Sequence, residues 1–226
     1  MMISIFLPIK HVSRRVPKKN FFKIKTFKYG LTEIKLLQLK KLKNKLKFIN
    51  IECEIIVSTD SDFIKKIIKK NNWITLHNRP KHLAKDDCLD DLIKEVPNQC
   101  NGKYILWTHV TSPHFNEKDY LNFIKIFLNN KKFKSAFSAN LISTFIIDEK
   151  NTWISHNREK KKWPRTQDLK KFYSVNSAAF ISERKNYIKL NDRLDNKPLP
   201  IISRKGSEFD IDEREDMDHF IKSLSK

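Results

Sequence analysis

The hydrophobic pattern opens with an apolar run, Met1 to Phe6, short enough to be a buried strand, which empties into a polar loop through Leu7 to Phe21. Leu31 to Phe48 carries Ile34, Leu37, Leu42 and Leu46 near helical spacing with lysines on the other side, which predicts an amphipathic helix packed on a sheet. Glu54 to Thr59 is a second apolar run rich in β-branched residues. It ends at Asp60-Ser61-Asp62, residues suited to capping a helix over FIKKIIKK. Trp73 to Leu76 reads as the next strand, Asn78-Arg79-Pro80 as a loop, and the polar Ala84-Lys85-Asp86-Asp87 as the lead into a helix through Leu92 and Ile93. Tyr104 to Val110 reads as a central strand that Thr111-Ser112-Pro113 breaks sharply. Asn116 then caps a helix with Tyr120, Phe123, Ile124 and Phe127 on one face. Strand and helix alternate throughout, so an α/β fold is expected, with a Rossmann-like, open, mostly parallel sheet.

From Ser135 the texture changes. Ser135 to Ile142 and Ser143 to Ser155 read as strands, with Asp148 to Asn151 as a hairpin tip, and Glu159 to Lys171 as a charged, irregular arm. Val175 to Ser182 and Leu199 to Ser203 return as strands, and Glu213 to Leu224 closes as a helix. No internal repeat or low-complexity linker divides the chain. The 226 residues, 39% hydrophobic with 16 Phe, therefore fit one packed domain over 1–226, with a small β-rich insertion at about 140–175.

In open parallel sheets ligands bind at the carboxyl ends of strands. The basic loop, the Asp60 turn, the Arg79 loop and the Thr111 turn all fall at such ends. Lys10, Ser13, Arg14, Arg15, Lys18, Lys19 and Asn20 crowd the first of them, a loop suited to a polyanion. It contains no glycine, so backbone amides cannot approach phosphates as in glycine-rich loops, and side chains must supply the positive charge. Pro17 stiffens it. Near the other end of the chain, Asp210 and Asp212 stand two residues apart. In extended backbone they point the same way, and together they suit one hard cation.

The formal net charge is +20, yet the lysines are spread over several segments rather than gathered on one face. Lysine, asparagine, isoleucine and phenylalanine are abundant together, as an AT-rich coding sequence would make them. The charge is therefore weak support for nucleic-acid binding, and it favours a polyanionic small substrate. Cys53, Cys88 and Cys100 match no zinc spacing and fit a reducing cytoplasm. The seven histidines include no HExxH pair, and no nucleophile with a partnering base stands out for covalent catalysis. No apolar run is long enough to span a membrane, so a soluble cytoplasmic protein is expected.

The chain resembles the CTP-dependent cytidylyltransferases that make CMP-activated acidic sugars, above all the acylneuraminate cytidylyltransferase (CMP-sialic acid synthetase) family. Its motifs run in family order over nearly the whole chain. They are Ser13-Arg14-Arg15-Val16-Pro17-Lys18-Lys19-Asn20, Ile56-Val57-Ser58-Thr59-Asp60, and Arg79-Pro80 with Leu83-Ala84-Lys85-Asp86. Thr111-Ser112-Pro113, Arg165-Thr166-Gln167-Asp168-Leu169, Asn176-Ser177-Ala178-Ala179-Phe180, and Asp210-Ile211-Asp212 with Asp216 follow. The resemblance implies a nucleotidyltransferase-type fold and attack by a hydroxyl of an acidic sugar on the α-phosphate of CTP, with pyrophosphate leaving. Lys10, Ser13, Arg14 and Lys19 would hold the triphosphate, Asn20 and Arg79 the cytidine, and Asp210 and Asp212 a Mg2+ ion. Lys19, Asp210 and Asp212 would be the catalytic set. His109, Arg165, Gln167, Asn176 and Phe180 would face the sugar. The insertion would complete the pocket of a second copy, which implies a homodimer. The chain departs from the family pattern at Lys10, usually arginine, at His109, usually an amide, at Ser177, usually glycine, and at Phe180, usually tyrosine. Three of these four lie on the acceptor side. They leave open another keto acid, a phosphorylated acceptor, or a basic nucleic-acid-binding protein on the same scaffold.

Overall fold

The computed structural model describes residues 1–85 and 87–224, so Asp86 of the expected lead into the third helix lies outside the described residues. Its centre is a seven-stranded sheet. The strands are β1 (Met2–Ile9), β2 (Glu52–Thr59), β3 (Thr75–Asn78), β4 (Tyr104–Thr108), β5 (Ser135–Ile142), β6 (Phe172–Glu183) and β7 (Leu199–Ile202). Their spatial order is β3-β2-β1-β4-β6-β5-β7. β1, β2, β3 and β4 are mutually parallel, and β6 runs antiparallel to both β4 and β5. This is the expected α/β, mostly parallel sheet.

Continuous apolar strands are buried on both faces, as parallel strands under helices must be. Ile3, Ile5, Leu7 and Ile9 of β1 enter one core, and Phe6 enters the other. The larger core is closed by α1 (Gly30–Phe48), α2 (Asp62–Ile68), α4 (Glu117–Asn129) and α6 (Arg214–Ser223). The smaller is closed by α3 (Leu89–Gln99) and α5 (Arg184–Leu190), with Trp107 and Phe180 between them. Ser61 caps α2 by accepting from the Ile64 amide. Asn116 and Asp119 form a reciprocal capping box on α4. No helix among the described residues is long and apolar enough to cross a membrane.

Three differences from the sequence reading have physical causes. β3 lies two residues beyond the expected Trp73–Leu76, because its register on β2 pairs Thr75 with Ile56 and Asn78 with Thr59. This sets Arg79 immediately past the strand end. The stretch Ser143–Ser155 holds one isolated bridge, Ile147 with Trp153, around an Asp148–Thr152 turn in which Asn151 takes φ +60°. The antiparallel pairing comes instead from the outer ends of β5 and β6, where Leu141 pairs with Tyr173 and Ile142 with Phe172. Helix α5 has no counterpart in the sequence reading; seven residues are too few to display a helical period.

The β5–β6 register shifts between Phe137 and Ala139, opposite Asn176 to Ala179. There Ser177 adopts φ +60°, the left-handed conformation that glycine enters at no cost. The Asn176 side chain holds the irregularity by donating to Asn140 Oδ1 at 2.8 Å and Ser203 Oγ at 2.7 Å. Beyond it the two strands leave β4 and continue as an exposed ribbon.

On α1, Lys35 lies on the buried face with no exposed surface. Its Nζ donates to Ser112 O at 2.9 Å, Phe115 O at 3.1 Å and Tyr120 Oη at 3.0 Å. Tyr120 Oη also bonds Thr108 Oγ1, so one amine joins α1, the end of β4, the Thr111–Phe115 turn and α4. Burial pulls its pKa down to about 7, against the opposing charges of Asp210 and Asp119.

Because the folded pKa lies below the ordinary 10.5, the folded state holds fewer protons than the unfolded state between about pH 7 and 10.5, and Lys35 contributes stability that rises across that window. The free-energy gap between wild type and Lys35→Met is therefore expected to widen from pH 6.5 to 9.5 in urea titrations, reaching about 3 kcal/mol at high pH, where the variant lacks the neutral amine's two buried N–H bonds. A pH-independent gap would contradict the argument. Gly30 (φ +53°), whose added Cβ would sit 2.1 Å from Phe22 O, and Gly206 (φ +85°), which faces open space, supply a second test. Gly206→Ala is expected to cost about 1 kcal/mol of backbone strain, and Gly30→Ala at least twice that, in urea midpoints.

Candidate active site

A cleft of about 490 Å³ opens at the carboxyl ends of β1, β3 and β4. Its wall is the basic loop, with Lys10, Ser13, Arg14, Arg15, Lys19 and Asn20, facing Arg79, Leu89, Leu92, Trp107, His109 and Thr111. The loop is shaped by its own turns. The Lys19 amide bonds Val16 O, the amides of Phe21 and Phe22 bond Lys18 O, and Lys18 sits at φ +57°. Asn20 Nδ2 donates to Lys10 O at 3.0 Å, and Asn20 O accepts from Thr32 Oγ1 at 2.6 Å, so the loop is tied to itself and to α1. Lys10 Nζ reaches across to Lys85 O at 2.9 Å, and Ser13 Oγ accepts from the Val16 amide at 3.4 Å.

Arg79 is 2% exposed. Its Nε donates to Ser58 Oγ at 3.0 Å and its Nη2 to Ser58 O at 2.5 Å, while Nη1 has no partner among the described residues. Burial lowers its pKa. A fixed guanidinium with an orphaned donor beside a cleft is poised for a planar acceptor.

Asp210 and Asp212 lie where the chain returns from β7. Arg204 clamps this segment to α4 through a bidentate pair with Asp119, at 3.0 and 3.1 Å. The Ile211 amide donates to Thr111 O at 2.8 Å, and Ser112 Oγ to Asp210 Oδ1 at 3.4 Å. The turn that Lys35 holds thus carries Asp210. Asp212 Oδ1 pairs with Arg15 at 2.9 Å and with Lys19 at 3.7 Å, and Lys19 Nζ donates to Ile211 O at 2.7 Å. Burial, partly offset by hydroxyl donors from Thr111 and Ser112, raises the pKa of Asp210. Burial lowers that of Lys19, against the pull of Asp212 and Asp210. Asp216 caps α6 by accepting from the amides of Asp212 and Glu213, which holds it below the ordinary carboxylate range.

Among the described residues no group of three or more His, Cys, Asp or Glu gathers to hold a metal ion. Two carboxylates beside a basic cleft still fit a hard cation whose remaining ligands come from phosphate and water, the usual arrangement for Mg2+.

The nucleotide-side residues expected from sequence thus converge, and the acceptor-side ones do not. His109 lines the cleft half-buried, and its Nε2 accepts from Trp107 Nε1 at 3.0 Å. Burial and the nearby cations Arg193, Lys35 and Lys19 push its pKa down to about 3, so the imidazole is neutral at pH 7 with its proton on Nδ1. Arg165 and Gln167 are exposed on the arm, Arg165 pairing with Asp168 at 3.2 Å. Asn176 serves the strand irregularity, and Phe180 is a core residue. Lys35 and Trp107, given no site role from sequence, support and line the cleft, and Arg15, expected in the polyanion loop without a specific role, lines it as well. Arg15 sits within the recognised basic motif, whereas Lys35 is one lysine among many.

The family model described as Cytidylyltransferase matches residues 5–224. No curated protein sequence matches the chain. Among solved structures, CMP:2-keto-3-deoxy-manno-octonic acid synthetase complexed with CTP is similar at TM-score 0.68 and 12% identity, with 100% of this chain and 99% of that one covered. 4-Diphosphocytidyl-2C-methyl-D-erythritol synthase from Anaerococcus prevotii is similar at TM-score 0.65 and 15% identity, covering 100% and 99%. A cytidylyltransferase from Leptospira borgpetersenii is similar at TM-score 0.60 and 16% identity, covering 99% and 86%. With the family model spanning nearly its whole length and the same fold recurring in these structures, the chain belongs to the cytidylyltransferase family, and it is a CTP-dependent nucleotidyltransferase.

Proposed function

We propose that the protein transfers CMP from CTP to an acidic sugar of the nonulosonic, sialic-acid-like type, releasing pyrophosphate and supplying the activated sugar for surface glycan synthesis. The observation that carries this reading is the link from Lys19, which lines the cleft, to Ile211 O and Asp212, which joins the basic loop after β1 to the segment that carries the two carboxylates. In the reaction the acceptor hydroxyl oxygen bonds the α-phosphorus as the bond to the pyrophosphate oxygen breaks. Lys10, Arg14, Arg15 and Lys19 neutralise the triphosphate while the Ser13 hydroxyl donates to it, and burial strengthens the Lys19 contact most. Arg79 and Asn20 address the cytosine and its ribose. Asp210 and Asp212 would hold Mg2+, which neutralises phosphate charge when bound. The raised pKa of Asp210 makes that capture weaken as pH falls.

The acceptor class rests on the ordered motifs, and a keto-acid sugar is also what the first of the similar structures acts on by its name. A phosphorylated acceptor is the second reading, since the methylerythritol enzyme is similar to nearly the same degree. Arg165 and Gln167 reach a sugar if the arm enters the cleft of a second copy, and the exposed Trp163, packed edge-on to Phe145 and Trp153, gives that arm an apolar face.

In thermal-shift titrations at a salt concentration that screens surface charge, CTP with Mg2+ is expected to raise the melting temperature most, by the equivalent of about 2.7 kcal/mol at a hundredfold excess over Kd. UTP, ATP and GTP should do less. Asp210→Ala should abolish the Mg2+-dependent part and slow pyrophosphate release at least a hundredfold. Equal shifts for all four nucleotides, or an unaffected Asp210→Ala, would sink the reading in favour of indiscriminate polyanion binding. Homodimerisation through the arm predicts that mixing Arg165→Ala with Asp210→Ala, each impaired alone, restores up to about a quarter of wild-type activity through mixed dimers that contain one intact site. No recovery after joint refolding would contradict the shared site.

A further inference from the structure

Arg193 follows α5, outside every motif singled out in the sequence. Its guanidinium carbon lies 3.8 Å over the Phe180 ring and 5.4 Å from the Trp107 ring. It is half-buried and makes no hydrogen bond or ion pair with another described residue. Its neighbour Asp192 forms no ion pair with it, and Asp192 Oδ1 accepts from the Leu194 amide at 3.2 Å. Tyr187, fully buried nearby, also leaves its hydroxyl without a partner. Burial lowers the pKa of Arg193, against the opposing pull of Tyr187 and Asp192.

A partly desolvated guanidinium without a counter-ion is costly, and an anionic ligand offsets that cost. Stacking on an aromatic face occupies the guanidinium plane and leaves the in-plane N–H donors, the ones that grip an oxyanion bidentately, available. Trp107 ties Arg193 to the cleft, because the same ring lines it and donates to His109. The neutral His109 does not compete with Arg193 for an anion; its Nδ1–H is a further donor.

We propose that Arg193 is the specificity-determining residue of the acceptor side and binds the acceptor's carboxylate above the Phe180 and Trp107 rings. This inference rests on the proposed transfer to an acidic acceptor, and a phosphate would satisfy the same donors. The test compares wild type, Arg193→Lys and Arg193→Met. Calorimetry first measures CTP binding, which is expected to stay within twofold in all three and reports the transferase reading independently. Binding to the CTP-loaded protein is then measured for 2-keto-3-deoxy-manno-octonate, N-acetylneuraminate, their methyl esters, and 2-C-methylerythritol 4-phosphate.

For wild type the preferred free acid is expected to bind at least tenfold more tightly than its ester. Arg193→Met should erase that discrimination and raise the acceptor KM tenfold or more with a smaller change in kcat, and Arg193→Lys should recover part of it. If only the phosphate compound shows the Arg193-dependent effect, the anion-binding role stands and the carboxylate assignment falls. An acid-to-ester ratio unchanged by Arg193→Met, or no binding of any acidic probe to wild type that still binds CTP, would overturn the inference while leaving cytidylyl transfer intact. Parallel loss of CTP binding and melting temperature in both variants would make Arg193 a packing residue and would also overturn it.

Discussion

The buried amine of Lys35 is the contact on which the catalytic end of the sheet depends. A charged group with no solvent exposure is tolerated only where its donors are matched, and Lys35 meets three acceptors with three N–H bonds. Two of those acceptors are carbonyls of the Ser112–Phe115 turn, whose intervening carbonyls, Pro113 O and His114 O, accept from Gln38 and Arg204. From that turn Thr111 O and Ser112 Oγ hold Ile211 and Asp210, so the last segment of the chain reaches the cleft through a polar chain that begins in the middle of α1. A lysine kept near pKa 7 and a carboxylate raised by its own burial sit at opposite ends of that chain, where the charge of Asp210 offsets part of the desolvation of Lys35 and that of Lys19 part of the desolvation of Asp210.

Charge in the cleft follows the same logic. Without glycine the loop after β1 cannot wrap backbone amides around phosphates, so it projects Arg14, Arg15 and Lys19 on a framework fixed by turns at Val16 and Lys18. Left unmatched, so many cations at one strand end would repel one another. Asp212 moderates this by pairing with Arg15 and Lys19. In the proposed reading an arriving triphosphate would exchange one set of carboxylate contacts for another set of oxyanion contacts, which would lower the reorganisation needed to bind it and free an Asp212 oxygen for a cation.

The sheet and the meeting of its strand-end loops at one cleft were legible in the sequence because both follow from local rules. Parallel strands covered on both faces must be continuous apolar runs, and the loops at their carboxyl ends must line the cleft, which is why Lys10, Asn20, Arg79 and His109 meet. Lys35 was illegible because its burial is decided by Ser112, Phe115 and Tyr120, far along the chain, while other lysines of the same helix, Lys40, Lys41 and Lys47, face water. Ser177 shows another limit. The departure from glycine was visible, but that the position requires φ +60° follows only from the register shift it relieves. Arg193 had no motif around it, and its role is set by the two rings beneath it.

The acceptor side is harder to read for a reason built into the architecture. Residues after a sheet strand inherit their position from hydrogen-bonded neighbours, so a motif there fixes geometry. Arg165 and Gln167 hang on a segment joined to the sheet through an antiparallel ribbon and one isolated bridge, and their place depends on whatever that ribbon packs against. A fold arranged this way holds nucleotide chemistry constant, while the choice of acceptor rests on few residues outside the sheet ladder. Under the proposed reading, a change at Arg193 would alter the choice of acid with little effect on the triphosphate, because its contact with the cleft lining runs through the Trp107 ring, which donates to His109.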